Sequence, residues 1–209
     1  MRWFLKALAI CLAATSAAAD GRWQQIRNNA DCSVWSAGPR PFETVTWTGA
    51  CVDGKANGRG VLMWRYLKDE LWVEEKYEGE IKDGKRHGRG VMKYANRSEY
   101  DGEWKDGKRH GRGVFEYANG GRTDGEWKDV TGSGRGVFVW TRNSNWSGDK
   151  YEGEYKDGKR HGRGVFRFSN GNECNGKWHN NSLRGMGKAL RQGRRTRCYE
   201  DNNTIKFAD

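Results

Sequence analysis

The sequence predicts an all-β protein, an elongated single-layer antiparallel sheet of about six consecutive β-hairpin repeats. A near-identical 15-residue segment begins at Tyr77, Tyr100 and Tyr151, and the first two copies are 23 residues apart. A fixed period of this length indicates a repeat architecture. Each copy shows strand-like alternation around an Asp-Gly turn signal. Both prolines, Pro39 and Pro41, precede the repeats, so none interrupts strand pairing within them.

Weaker copies share the glycine skeleton of the strong ones. In every copy a glycine is followed nine and eleven residues later by two more glycines. The triplets are Gly49/Gly58/Gly60, Gly79/Gly88/Gly90, Gly102/Gly111/Gly113, Gly125/Gly134/Gly136, Gly153/Gly162/Gly164 and Gly176/Gly185/Gly187. The copies begin at Trp47, Tyr77, Tyr100, Thr123, Tyr151 and Cys174. Two longer steps predict inserted loops at 67–75 and 143–149.

Alternation sorts the strand side chains onto two faces. Glu152, Glu154 and Lys156 represent a mixed-charge face, and aromatic residues form a stripe on the other. The predicted aromatic face comprises Tyr77, Tyr100, Trp104, Phe115, Tyr117, Trp127, Phe138, Trp140, Tyr151, Tyr155, Phe166, Phe168 and Trp178. Glycines in the strands allow neighbouring rings to lie over the backbone. The stripe is interpreted as a core or self-association face, with a platform for sugars or bases as the alternative.

The pattern Tyr-x-Gly-x-x-x-x-Gly-x-x-x-Gly-x-Gly resembles the MORN repeat family, and the likeness extends over residues 47 to about 190. Thr123 and Cys174 depart from its leading tyrosine, and Val130 replaces a loop glycine. We therefore expect the fourth and sixth hairpins to be less regular. The resemblance implies an elongated antiparallel scaffold that binds proteins or acidic phospholipids.

The ends of the chain predict export and capping. Residues 1–19 combine a basic start, an apolar stretch and Ala17-Ala18-Ala19, as a secretory signal peptide does. The expected organisation is a signal peptide at 1–19, an N-terminal cap at 20–46, six repeats at 47–190 and a basic C-terminal cap at 191–209. Periplasmic or secreted localisation follows from the signal.

The four cysteines after the signal allow three disulfide connectivities. Cys32–Cys51 and Cys174–Cys198 are favoured, because each pair then lies at one end of an extended array. An exported chain with an even number of cysteines is the usual setting for such bonds.

Net charge favours an anionic partner. The full chain carries +11, and removal of Arg2 and Lys6 with the signal leaves +9. Basic residues recur in the predicted hairpin loops, where they would form a rim, and cluster near the C-terminus. The candidate anion-binding residues are Lys85, Arg86, Arg89, Lys108, Arg109, Arg112, Lys159, Arg160, Arg163, Arg191, Arg194, Arg195 and Arg197. The alternative reading is that these charges keep a thin sheet soluble.

Catalytic patterns are weak. The Glu78/Glu80 and Glu152/Glu154 pairs have a spacing that glycosidases use, but the repeat exposes them on an open face. His87, His110 and His161 recur too far apart to share one metal ion. No motif for a cofactor is present, and catalytic and metal sites are not expected.

The predicted function is therefore a non-enzymatic exported scaffold for protein–protein or anionic-surface interaction, with phospholipid or another envelope surface as candidate partner. Two alternatives stay open: a carbohydrate-binding or carbohydrate-active protein, and a passive structural spacer. Homodimerisation through the sheet face or ends is possible on this pattern. Export disfavours nucleic acid as a partner.

Overall fold

A computed structural model describes residues 21–128, 131–140 and 147–208 of the chain. The predicted signal peptide at 1–19 lies outside the described residues. So does most of the second predicted insertion, of which only the last residues, 147–149, are described. Within the described ranges every regular element is a β-strand. None of these residues forms a helix long and apolar enough to cross a membrane.

Seventeen strands follow one another along the described chain. They are β1 Arg22–Ile26, β2 Asn29–Ser36, β3 Thr44–Trp47, β4 Ala50–Val52, β5 Lys55–Lys68, β6 Leu71–Lys82, β7 Lys85–Lys93, β8 Glu99–Lys105, β9 Lys108–Glu116, β10 Arg122–Lys128, β11 Thr131–Val139, β12 Lys150–Lys156, β13 Lys159–Arg167, β14 Glu173–His179, β15 Ser182–Arg191, β16 Arg194–Asp201 and β17 Thr204–Phe207.

The sheet is an array of consecutive hairpins. From β5 to β17, each strand pairs antiparallel with the next one in the chain. Strands β3 and β4 pair with the two halves of β5. Strand β2 adds one parallel bridge, between Ser33 and Lys55. The all-β hairpin array predicted from the sequence is confirmed.

The turns within the repeats are shorter than the sequence suggested. Asp83 and Gly84 both have positive φ, 48° and 73°, as a two-residue hairpin turn requires. Strand β7 begins directly afterwards at Lys85, so the Lys-Arg-His run is strand and not loop. Farther along, Gly79 faces Gly90 but Glu80 faces His87, which leaves Gly88 and Arg89 as a two-residue bulge. The same shift recurs in the β8–β9 and β12–β13 hairpins.

The first insertion is not the loop predicted at 67–75. It lengthens β5 and β6 into a protruding hairpin, with Lys68 facing Leu71 across the turn. Asp69 and Glu70 form that turn with φ of 49° and 62°. At its tip Leu71 is 69% exposed and Trp72 is 52% exposed.

The core lies on the aromatic face, and the two ends of the array cover that face. At the N-terminal end, Ile26 and Val34 of the β1–β2 hairpin are buried in one cluster with Leu62 and Tyr77. At the other end, the Phe207 ring approaches Phe168 to 5.5 Å between centroids. Phe168 directly follows β13, and a flat sheet would hold β17 four strand spacings from β13, so the sheet coils over itself here. The predicted single layer therefore describes the middle of the array better than its ends.

Both cysteine pairs favoured from the sequence lie at disulfide distance. The S–S separation is 2.20 Å for Cys32–Cys51 and 2.00 Å for Cys174–Cys198. The first links β2 to β4, and the second links β14 to β16 across β15. The first pair therefore ties the β1–β2 hairpin to the sheet, and the second draws β16, the strand before β17, toward β14.

Candidate binding surfaces

Tyrosine rings lie over pairs of glycines on the aromatic face. A Cβ added to Gly79 or Gly90 would come within 2.7 Å or 2.3 Å of the Tyr77 hydroxyl oxygen. That hydroxyl donates to the Glu80 main-chain oxygen at 2.8 Å. Tyr100 and Tyr151 repeat the arrangement over their own glycine pairs. The pKa of each ring hydroxyl is raised, chiefly because burial disfavours the phenolate.

Tryptophans join successive repeats. The indole Nε1 of Trp104 donates to Gly90 O at 2.9 Å, Trp127 donates to Gly113 O at 2.9 Å, and Trp178 donates to Gly164 O at 3.1 Å. Each indole also packs edge-to-face against the tyrosine of the repeat before it, as in Tyr77–Trp104 at 5.5 Å. The predicted aromatic residues thus form one connected face, and most of their ring area serves the core.

The fourth repeat interrupts this pattern and opens a cleft. Thr123 stands where the tyrosine would be, and its side chain does not cover the glycines. The three atoms nearest to a Cβ added at Gly125 are all backbone, and at Gly136 the nearest ring atom is 3.5 Å away, on Tyr155. A cavity of about 500 Å³ lies here, lined by rings that include Phe115 and Trp127. Sequence reasoning noted Thr123 but did not predict the cleft.

Tyr155 lines this cleft with its ring and carries a buried hydroxyl. It holds the strand position that tryptophan takes in the neighbouring repeats, but a phenol has no indole N–H to reach the preceding glycine carbonyl. Its hydroxyl is buried and has no hydrogen-bond partner within the described ranges. Burial raises its pKa, so the group stays a neutral donor.

Three of the predicted anion-binding arginines lie on the aromatic face and do not form a rim. Because β7, β9 and β13 begin at the lysine after the turn, alternation turns the following arginine toward the rings. The guanidinium carbon lies over an indole ring at 4.5 Å for Arg86 and Trp104, and at 4.6 Å for Arg109 and Trp127. Arg160 lies over Trp178 at 4.6 Å. Burial lowers the pKa of Arg86 and Arg160.

The other predicted basic residues of the repeats stay near the surface. Arg89, Arg112 and Arg163 are exposed in the bulges, where Arg89 faces Glu103 and Arg112 faces Glu126 on the adjoining strands. Lys108 and Lys159 are exposed beside the turns, and Lys85 is half-buried near the Trp35 ring. Two of these cations therefore face carboxylates, whereas Arg163 faces Lys177 and each of the three lysines faces another lysine across its turn.

The repeated carboxylates have structural partners. Glu103 Oε1 accepts the main-chain N–H of Arg112 at 3.0 Å, and Glu154 Oε1 accepts that of Arg163 at 3.1 Å. The second carboxylate of the pair, Glu103 or Glu154, thus stabilises the bulge in its own hairpin. The first glutamate pairs with lysine, as Glu152 does with Lys150 at 3.3 Å. A hydrogen bond from that lysine lowers the Glu152 pKa, opposite to the shift that a general acid needs.

The histidines and carboxylates do not form a metal site in the described part of the chain, where no three such side chains or cysteines converge. His161 lies near His179, with ring centroids 4.8 Å apart. His87 Nδ1 lies 3.9 Å from Asp106 Oδ1, and His110 is exposed.

Cations concentrate on the β15–β16 hairpin. Lys188 faces Arg197 and Arg191 faces Arg194 across the two strands. Arg195 faces Leu190, which is 37% exposed. Within the described ranges, Lys188, Arg194, Arg195 and Arg197 form no ion pair with a carboxylate. Met186, 60% exposed, lies beside Arg197 on the same hairpin.

Comparison with known proteins identifies the repeat. The family model for the MORN repeat matches residues 52–65, 77–99, 100–122 and 151–173. The hairpins that begin at Thr123 and Cys174 fall outside these matches, in keeping with their altered leading residues. MORN repeats are non-catalytic modules that generally bind proteins or membrane lipids. A search of curated proteins found no match to the chain.

Proposed function

Because the chain belongs to the MORN repeat family, we propose that it is an exported, non-enzymatic scaffold that binds an anionic partner. The partner is an acidic protein surface or an anionic lipid surface of the envelope. The observation that carries this proposal is the register of the β15–β16 hairpin, where Lys188 lies opposite Arg197. Export is supported by the signal-like residues 1–19 and by two cysteine pairs at disulfide distance.

Like charges at directly opposed strand positions destabilise a sheet. The hairpin places cations at two such positions, and alternation directs Lys188/Arg197 to one face of the sheet and Arg191/Arg194 to the other. On the first face, Lys188, Arg195 and Arg197 have no carboxylate paired to them among the described residues. An anionic surface would neutralise this repulsion and accept hydrogen bonds from the guanidinium groups. Met186 and Leu190 add exposed apolar area, which suits contact with a lipid interface.

Catalysis is not part of the proposal. A glycosidase needs one carboxylic acid with a raised pKa. The first glutamate of a repeat pairs with lysine, and the second holds a bulge. The aromatic face also gives little support to a sugar platform along the whole array, because most of its rings pack on one another.

The test is co-sedimentation of the oxidised protein, residues 20–209, with anionic and neutral vesicles across a salt series. We expect binding to anionic vesicles alone, falling steeply with salt because screening shortens the reach of surface charge. The double variant Arg195→Gln/Arg197→Gln should bind at least about tenfold more weakly, since each basic residue near such a surface contributes roughly 1 kcal/mol.

The matched control is Arg89→Gln/Arg112→Gln, which removes the same charge from exposed bulges and should bind nearly as wild type does. Equal losses in both variants would contradict a role for the hairpin. Absence of binding at low salt would exclude a lipid surface and leave acidic proteins as the partners to test. If the protein is a passive spacer, neither variant should change its association with any partner.

A further inference from the structure

In the fourth repeat the space over the glycine pair Gly125/Gly136 is open, whereas in the other repeats a side chain of the protein itself fills the equivalent space. We propose that this cleft binds a tyrosine side chain supplied by a partner polypeptide. The site is distinct from the basic hairpin, and the inference does not depend on the proposed anionic partner.

Internal comparison of the repeats supports the assignment. Among the described residues, five of the six glycine pairs have a side chain of the chain itself placed so that an added Cβ would meet it within 2.7 Å. The covering residues are Trp47, Tyr77, Tyr100, Tyr151 and Leu183. Among the described glycine pairs, Gly125/Gly136 has no such cover at either glycine, whereas Leu183 covers Gly176 and the nearest side-chain atom to a Cβ added at Gly187 is Cys198 Sγ at 2.8 Å. An added Cβ at Gly125 would still meet Gly136 Cα at 2.7 Å and Arg135 O at 2.8 Å, so the close approach of the two strands requires glycine there, while the space above the pair stays open.

The occupants of the equivalent positions indicate the ligand. In three repeats a phenol ring lies over the glycines, and its hydroxyl donates to the main-chain oxygen of the glutamate that follows. The corresponding residue in the fourth repeat is Glu126, which lines the cleft. The lining of the cleft includes three aromatic rings, those of Phe115, Trp127 and Phe138. A further aromatic ring bound here would contact their edges and faces.

The Tyr155 hydroxyl is a second and independent observation. The ring of Tyr155 lines this cleft, and its hydroxyl is buried with no acceptor among the described residues. A buried donor without a partner loses the hydrogen bond that water would give, which is unfavourable. An oxygen atom on a bound ring would satisfy it, so the site favours tyrosine over phenylalanine.

The size and rim of the cleft favour a side chain attached to a polypeptide. Its volume of about 500 Å³ is that of a site for a ligand larger than one ring. Arg109 and Arg160 lie in its lining, over Trp127 and Trp178 respectively. Guanidinium groups carry several donors, which suit the main-chain carbonyls beside a bound tyrosine.

The experiment is an NMR titration of the oxidised ¹⁵N-labelled protein, residues 20–209. The probes are N-acetyl-tyrosinamide, N-acetyl-phenylalaninamide and p-cresol, each up to about 10 mM to detect weak binding. The signals to follow are the Gly125 and Gly136 amides and the Trp127 indole. Thr123→Tyr should fill the gap, and Thr123→Ser is the matched control that leaves it open.

We expect saturable shifts with N-acetyl-tyrosinamide in wild type and Thr123→Ser, and at least tenfold weaker binding to Thr123→Tyr. The phenylalanine probe should bind several-fold more weakly. No saturable shift in wild type, or equal binding to Thr123→Tyr, would overturn the proposal. Equal affinity for p-cresol would overturn the polypeptide source, because the ring alone would then suffice.

A second variant keeps the proposal testable if Thr123→Tyr does not fold by circular dichroism. Tyr155→Phe removes only the buried hydroxyl. It should weaken the tyrosine probe several-fold and leave the phenylalanine probe unchanged. An equal effect on both probes would contradict the role assigned to that hydroxyl.

Discussion

The Tyr100 hydroxyl donates a 3.0 Å hydrogen bond to the main-chain oxygen of Glu103, across the space that Gly102 leaves open. The ring is fully buried. One contact thus combines apolar burial, a satisfied polar group and close approach of a ring to the backbone. Its recurrence at Tyr77 and Tyr151 explains why the glycine positions and the tyrosine repeat together.

Glycine at the floor of a repeat should resist substitution. In Gly102→Ala the added Cβ would meet Gly113 Cα at 2.5 Å, and backbone cannot rotate away. We expect a loss of about 1–3 kcal/mol or more in the free energy of unfolding. The control is Gly38→Ala, where the added carbon meets nothing within 4 Å. Chemical denaturation measures both, and equal stabilities would refute the packing described here.

The glutamate that holds a bulge should matter more than its neighbour. Glu103→Ala removes the acceptor of the Arg112 N–H, with an expected loss of about 1 kcal/mol. Asp101→Ala, two residues away and exposed, should change stability little. Denaturant unfolding compares the two variants. A larger loss in Asp101→Ala would show that charge balance, and not the bulge, determines the effect.

Reduction should destabilise both ends of the array. The loops closed by the two cysteine pairs span 19 and 24 residues in sequence separation. Each bond is expected to contribute roughly 3 kcal/mol through loop entropy. The thermal midpoint should therefore fall markedly in reductant, and Cys174→Ser/Cys198→Ser should lose only part of that. An unchanged midpoint on reduction would argue against the disulfides.

Alkaline pH should weaken the fold. Burial raises the pKa of Tyr77, Tyr100 and Tyr151 above their unfolded value of about 10. Stability from these groups is complete below pH ~10 and falls as pH rises beyond it, because only the unfolded chain then loses the protons. Thermal midpoints from pH 8 to 11 measure this. Tyr100→Phe should have a lower thermal midpoint at pH 8, but its midpoint should fall less between pH 8 and 11 than that of the wild type. An equal fall in both proteins would contradict a raised pKa for Tyr100.

The repeat period, the hairpins and the aromatic face could be predicted because they depend on local pattern. Tyr151, Gly153 and Tyr155 alternate in sequence, and period two assigns them to one face whatever the rest of the chain does. Both cysteine pairs followed from the same reasoning, since an extended array keeps its ends apart.

Other features depended on geometry that pattern alone does not specify. Arg86 was assigned to a loop because Lys-Arg-His follows a turn signal, but a two-residue turn makes it strand and directs it onto Trp104. Coverage of the aromatic face by β1–β2 and β17 is a long-range contact. The cleft at Gly125 could be predicted only with the knowledge that tyrosine covers the glycines in other repeats. Given that knowledge, Thr123 at the tyrosine position predicts an uncovered glycine pair.

The central structural claim is that rings lying over glycine pairs, as Tyr77, Tyr100 and Tyr151 do, stabilise the array, and Thr123→Tyr tests it most directly. The introduced ring should cover Gly125 and Gly136 and bury additional apolar area. Heat unfolding of the oxidised variant is the measurement, with Thr123→Ser as reference. We predict a midpoint a few degrees higher in Thr123→Tyr, in line with about 1–2 kcal/mol in a chain of this size. A midpoint below that of Thr123→Ser would contradict the account.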